Sequence, residues 1–256
     1  MKSYILKNAP TEGNSVRISC PSCASKTFTI SKIHGKLLWN CYKASCKTKG
    51  SEQMERSKTE ISSKIRDTIT FYHDAETFTV PEWFTPFTDN VRALNYLKRN
   101  NCIDAFQNGR ARILYDPKQD RVVFLVKENG ITYDAIGRSL KPKTIPKWYR
   151  YGKSQKLFTA GEHPQAVLVE DSASACAISP VATGVALLGT NMKDADLTQL
   201  RKYEHVFVCL DPDATRKALD LQKYLSYFVS TTIIRIDDDL KYYDAQEIKK
   251  LLQNSN

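Results

Sequence analysis

The chain has 256 residues, 41% hydrophobic and 26% charged, with a formal net charge of +10. That length allows one large domain or two smaller ones and a sizeable core. No apolar run approaches a membrane span, the apolar stretch after Met1 is too short for a secretory signal, and seven unevenly spread cysteines exclude a disulfide framework. The expected setting is cytoplasmic. The charge is segregated: residues 1–50 carry +8, 51–80 carry −2, 81–163 carry +7 and 164–256 carry −3. Basic modules beside an acidic one fit a protein that holds a polyanion with the former and does metal chemistry with the latter.

Residues 1–15 carry no clear pattern. Cys20 and Cys23 then sit on a knuckle with Pro21, and Phe28–Ser31 and Lys36–Asn40 alternate like strands around a turn at His34-Gly35. Cys41 and Cys46 complete C-x2-C, seventeen residues, C-x4-C. Two cysteine pairs on a short hairpin supply a tetrahedral zinc site, with His34 as the alternative ligand. So small a core folds only with the metal. Phe28, Trp39 and Tyr42 lie among Lys26, Lys32, Lys36 and Lys43, a mixture that serves stacking and phosphate contact or, equally, packing of the mini-core.

Residues 51–80 are polar, mixed in charge and read as a flexible linker. Ile61, Ile65 and Ile69 mark a short helix within it. Residues 81–163 form a basic α+β module. Val91–Asn100 is helical, Asp104–Asn108 is a second short helix, and R-V-V-F-L-V pairs with Ile131–Ile136 across Glu128-Asn129-Gly130. The segment that follows holds Arg138, Lys141, Lys143, Lys147, Arg150 and Lys153 with Trp148, Tyr149 and Tyr151 between them. Proline and glycine keep it from a helix, and its composition suits gripping a strand or a nucleoside triphosphate.

From residue 164 the pattern is that of an α/β domain with a mainly parallel sheet. Val167–Val169 delivers Glu170 and Asp171, Val206–Leu210 delivers Asp211 and Asp213, and Ile233–Ile236 delivers Asp237, Asp238 and Asp239. Val181–Leu188 is another strand, ending in Gly189-Thr190, and Asp194 caps the helix after it. Sites in such sheets lie outside the carboxyl ends of the strands. Three successive strands ending in acids point to a divalent cation, and oxygen-only ligands favour magnesium or manganese. No G-x-x-x-x-G-K-[ST] occurs, so no ATPase motor is expected within the chain.

These features resemble the primase half of the phage primase-helicases and, more distantly, the bacterial replicative primases. Y-L-K-R-N-N-C-I-D-A-F resembles the family's entry into its catalytic domain, with Asn101 where glycine is usual. D-A-I-G-R-S-L…P-K-W-Y resembles its basic motif, matching Arg138 and Lys147, and the segment from Val167 resembles a Toprim domain, matching Glu170, Asp211 and Asp213. The ending D-D-D-L-K-Y-Y-D-A-Q-E-I favours Asp239 over Asp237 or Asp238. Two departures add negative charge: Asp171 for the usual glycine, and Asp238 for the usual basic residue.

The resemblance implies a DNA primase that makes short RNA from ribonucleoside triphosphates on single-stranded DNA by two-metal nucleotidyl transfer. Cys20, Cys23, Cys41 and Cys46 would hold structural zinc. Asp211, Asp213 and Asp239 would hold magnesium or manganese. Glu170 would share the metal or act on the attacking hydroxyl. Arg138, Lys141, Lys147 and Lys153 would bind triphosphate or template phosphate. A separate helicase and a DNA polymerase are the expected partners. The rival readings are a Toprim nuclease and a non-catalytic regulator that binds nucleic acid.

Overall fold

Period-two alternation governs the first part of the chain. The computed structural model describes residues 1–11, 14–33, 36–54, 77–154, 156–188, 192 and 194–255. It divides into two units, Met1–Lys64 and Ile65–Asn256. In the first, strands β1 (Ser15–Ile18), β2 (Phe28–Ile33), β3 (Lys36–Cys41) and β4 (Lys49–Gln53) form an antiparallel sheet in that order. Helix α1 (Lys2–Lys7) adds Ile5 to a core of Phe28, Ile30 and Leu37, closed by Cys20 and Cys41. Neither α1 nor β1 was legible, because each is too short to show a period. Ser51–Gln53, polar enough to read as linker, instead finish β4, which pairs with β3 through its backbone. The remaining linker and helix expectation falls on residues 55–76, and the hairpin turn falls on His34-Gly35; both lie outside the described residues, as does the Gly189-Thr190 strand end.

The second unit holds two sheets. In the basic module, β5 (Ile113–Asp116), β6 (Arg121–Glu128), β7 (Ile131–Ser139) and β8 (Trp148–Arg150) make an antiparallel meander. The β6–β7 turn puts Asn129 and Gly130 at φ 50° and 80°, the conformation that an Asn-Gly hairpin requires. One face of this sheet buries Val123, Leu125 and Ala135 against Phe84 and the half-buried Phe78 and Val80. The end of the supposed linker is therefore packed, and the Phe78 amide donates to the Thr132 carbonyl at 2.8 Å. The other face, through Phe124 and Ile136, joins the core of the acidic module.

That module is built on β10 (Gln165–Val169), β11 (Thr183–Ala186), β12 (His205–Val208) and β13 (Ser230–Ile233), all parallel, with β9 (Phe158–Ala160) antiparallel at one edge. Strand β9 belongs to the basic module by composition but completes the acidic module's sheet. Helices α2 (Val91–Arg99), α3 (Ile103–Gln107), α4 (Ser172–Ile178), α5 (Asp194–Leu200), α6 (Thr215–Leu225) and α7 (Ala245–Gln253) pack around the two sheets. Alternation splits β10 between two cores. Val167 and Val169 face α4 and α7, whereas Ala166 and Leu168 face α5 and α6. Burial on both faces explains the unbroken apolar runs. Strand β13 ends at Ile233, so Asp237–Asp239 follow an extended segment rather than the strand itself. Among the described residues, no helix is long and apolar enough to cross a membrane.

The small residues of α4 let it lie almost on the sheet. A Cβ at Gly184 of β11 would fall 2.0 Å from the Ala175 carbonyl oxygen, and backbone cannot move aside as a side chain can. Gly184→Ala is expected to destabilise the second unit by about 3 kcal/mol, read as a lower urea midpoint for that unit.

Candidate functional site

The first donor cluster is made of sulfur. Cys20, Cys23, Cys41 and Cys46 bring their Sγ atoms within 4.8 Å of one another. Cys20–Cys46 and Cys23–Cys41 are separated by 3.8 and 3.7 Å, far beyond a disulfide bond. Zinc–sulfur bonds of about 2.3 Å set tetrahedral sulfurs about 3.8 Å apart, so the four thiols fit zinc. The knuckle closes by an Ala24 amide to Cys20 carbonyl bond of 2.8 Å, with Ala24 at φ 56°. Contacts with the Thr48 hydroxyl and amide pull the Cys46 thiol below its ordinary pKa, whereas burial and the neighbouring cysteines push the Cys23 thiol up to about 11. Of the nearby aromatics, Phe28 is core, Trp39 lies on Gly50, and Tyr42 is exposed.

The second cluster is made of carboxylates at the carboxyl ends of β10 and β12 and in the loop after β13. Asp211 is its centre. Burial, then the charges of Asp239 and Glu170, raise its pKa from 3.8 to about 6. The structure thus gathers Glu170, Asp211 and Asp239, with Asp171 beside them. Asp213 is exposed in the 3-10 turn Pro212–Ala214. Asp237 and Asp238 are also exposed, whereas Asp239 is half-buried, which separates it from its two neighbours. Among the described residues only the four thiols form a set of three or more metal-type donors within 4.8 Å. The carboxylates are gathered more loosely, and two lysines stand among them. Lys217 Nζ is 3.8 Å from Glu170. Lys241 Nζ bonds Asp239 and lies 3.3 Å from Asp171. Burial alone would lower the Lys241 pKa, but Asp171 and Asp239 together raise it above its ordinary value. Oxygen-only donors of this kind are the type that magnesium or manganese takes. Magnesium in particular keeps several waters and needs only one or two carboxylates.

A basic cavity of about 570 Å³ lies in the same unit. Helix α2 contributes Arg92, Tyr96 and Arg99, the end of β7 contributes Arg138, and the segment after it contributes Lys141, Lys143 and Lys147. Lys153 does not line it: the chain has turned away after β8. Two arginines fix the loop that carries these lysines. Buried Arg121 donates to the carbonyls of Pro146 and Lys147 at 3.0 and 3.2 Å, and Arg92 donates to the Leu140 carbonyl at 2.7 Å. The Arg138 guanidinium sits between the rings of Tyr96 and Trp148, 5.9 and 5.6 Å from their centroids. Tyr96 ties cavity to acids: burial and the Asp171 charge push its hydroxyl up, while Arg138 opposes them. The interleaved aromatics divide. Trp148 packs on Phe124, Tyr151 donates to Asp116 at 2.6 Å, and Tyr149 is the exposed one.

Arg121 and Lys241 escaped the sequence reading, since single cations in mixed stretches give no periodic signal. Asn101 did give a signal, because it stands where the family has glycine. It keeps the left-handed backbone, at φ 52°, and its side-chain amide donates to the carbonyls of Lys241 and Tyr243 at 3.1 and 3.0 Å.

No protein-family model and no curated protein matches the chain. Solved structures do. The zinc-binding and RNA polymerase domains of the Aquifex aeolicus primase align with 100% of this chain and 83% of that one, at 16% identity and a TM-score of 0.52. The RNA polymerase domain of Mycobacterium tuberculosis primase DnaG aligns with 77% of this chain and 84% of that one, at 15% identity and a TM-score of 0.50. The likeness is one of fold: a zinc-binding module followed by a primase RNA polymerase domain.

Two outcomes follow from these clusters. Chelating the zinc, or Cys41→Ser, is expected to unfold the first unit while the second keeps its melting transition, as read by limited proteolysis and calorimetry. Asp211→Asn is expected to raise the melting temperature of metal-free protein by a few degrees at pH 8. A carboxylate whose pKa is raised on folding costs stability once ionised, so this gain shrinks as pH falls below about 6 and is gone only below the ordinary value of 3.8, where the aspartic acid is neutral in both states.

Proposed function

We propose that this chain is a DNA primase, a polymerase that copies single-stranded DNA into short RNA from ribonucleoside triphosphates. The observation that carries the reading is the pairing, within one unit of primase fold, of a carboxylate cluster centred on Asp211 with a cavity rich in arginine and lysine. Polymerising nucleotides requires both. The acids bind divalent cations, and the bases bind the triphosphate and template phosphates.

Glu170, Asp211 and Asp239 would hold the metal, with exposed Asp213 able to join them. Bound divalent ions would neutralise the charge that accumulates on the α-phosphate and the leaving pyrophosphate. The rest falls to the chain itself. Arg138, Lys141 and Lys147 receive the triphosphate, joined by Arg99. Tyr96 and Trp148 hold the Arg138 guanidinium in place. Glu170 accepts the proton of the attacking 3′-hydroxyl or aligns it. The oxygen attacks the α-phosphorus, the bond to pyrophosphate breaks, and one phosphodiester forms. The zinc module selects the template start, with exposed Tyr42 offering a base-stacking surface beside Lys43. A replicative helicase and a DNA polymerase are the partners such an activity requires.

Lys241 among the acids is the observation favouring the second reading, a regulator that binds nucleic acid without catalysis. A gel separates the readings. Zinc-loaded protein, magnesium, labelled ribonucleotides and a library of short single-stranded templates are expected to give template-dependent RNA. Asp211→Asn is expected to lower the yield at least about 100-fold while leaving DNA binding intact. Arg138→Ala is expected to raise the KM for nucleotide about tenfold. Shortened DNA would assign a nuclease, and unchanged DNA without RNA would assign the regulator.

A further inference from the structure

Lys241 occupies an unusual place. Its side chain is 11% exposed and its ammonium touches two carboxylates from different turns, Asp239 and Asp171. Asp171 is already committed elsewhere. One of its oxygens caps α4, accepting from the Ser174 amide at 2.9 Å, and the other faces Lys241 at 3.3 Å. The extra acid at 171 therefore has a matched cation, so that Asp171 and Lys241 act as a pair. Asp239 is committed to Lys241 but to no helix. The turn bearing the lysine, Leu240–Tyr242, is clamped from outside by the two Asn101 hydrogen bonds.

We propose that Lys241 is the built-in counter-cation of the acid cluster, competing with the divalent ion for Asp239 and so setting the metal affinity of the site. The inference rests on the primase reading above and deepens it. In the metal-free state the ammonium offsets the mutual repulsion of Glu170, Asp211 and Asp239. When a divalent ion takes Asp239, the ammonium keeps Asp171, so it is displaced by one partner without being left uncompensated. A lysine suits this exchange. It is a point charge on a flexible stem, whereas an arginine fork would lock two carboxylates together. The Tyr242 ring, 5.3 Å from the ammonium, offers the displaced cation a second contact.

The test is manganese binding to zinc-loaded full-length protein, followed by electron paramagnetic resonance of free Mn2+, with Asp211→Asn as the control that defines the site. Lys241→Met is expected to bind Mn2+ about tenfold more tightly than wild type, since it removes a cation at contact distance from a ligand. Asp171→Asn keeps the helix cap and leaves the ammonium to Asp239 alone, so it is expected to bind about threefold more weakly. The half-saturating magnesium concentration for primer synthesis is expected to move the same way in each variant. A strut with a purely structural role would lower affinity in both variants. Equal or weaker Mn2+ binding by folded Lys241→Met overturns the inference and leaves the primase reading standing if RNA is still made. Should Lys241→Met fail to fold, unchanged or tighter binding by Asp171→Asn overturns it instead. Absence of any Asp211-dependent Mn2+ binding in wild type and variants overturns the inference together with the metal-site reading beneath it.

Discussion

Repulsion among carboxylates is the constraint around which the second unit is arranged. A parallel sheet brings the carboxyl ends of its strands to one edge, and here those ends, with the loop after β13, carry Glu170, Asp211 and Asp239. Burial keeps water from screening them, and the result is visible in Asp211, whose pKa rises to about 6. Such an edge must find positive charge. The chain supplies some itself, through Lys241 beside Asp171 and Asp239 and Lys217 beside Glu170.

The basic module answers the same constraint at longer range. Its cations are concentrated on α2, at the end of β7 and on the loop that follows, where Arg92 and Arg121 bond the loop's carbonyls and Arg92 also pairs with Asp120. Arg121 spends its guanidinium on backbone carbonyls, two of them in the loop that bears the lysines. Tyr96 feels both charges: burial and Asp171 push its hydroxyl up while Arg138 pulls it down.

The zinc module solves a different problem. Four buried apolar side chains, Ile5, Phe28, Ile30 and Leu37, and two buried cysteines make its core. That is too little to offset chain entropy, and a metal held by the four thiols would close the deficit. Its strands can stay polar on the outside, with Tyr42 and several lysines facing solvent.

Much of this was fixed by local chemistry. Cysteine spacing specified the four-thiol cluster, because ligand geometry tolerates few arrangements. Continuous apolar runs ending in acids specified a parallel sheet with a charged edge, because only strands buried on both faces can be apolar throughout. Arg138, Lys141 and Lys147 were readable from one basic segment. Tertiary structure decided what sequence distance hides. It moved β9 into the neighbouring module's sheet, turned Lys153 away from the cavity, and half-buried Asp239 against Lys241 while leaving Asp237 and Asp238 exposed. It also brought Asn101 to the turn that carries Lys241, and Lys241 to Asp171 seventy residues away. Periodicity reports which face of an element is buried; it carries no record of which isolated polar side chains meet once the faces have packed.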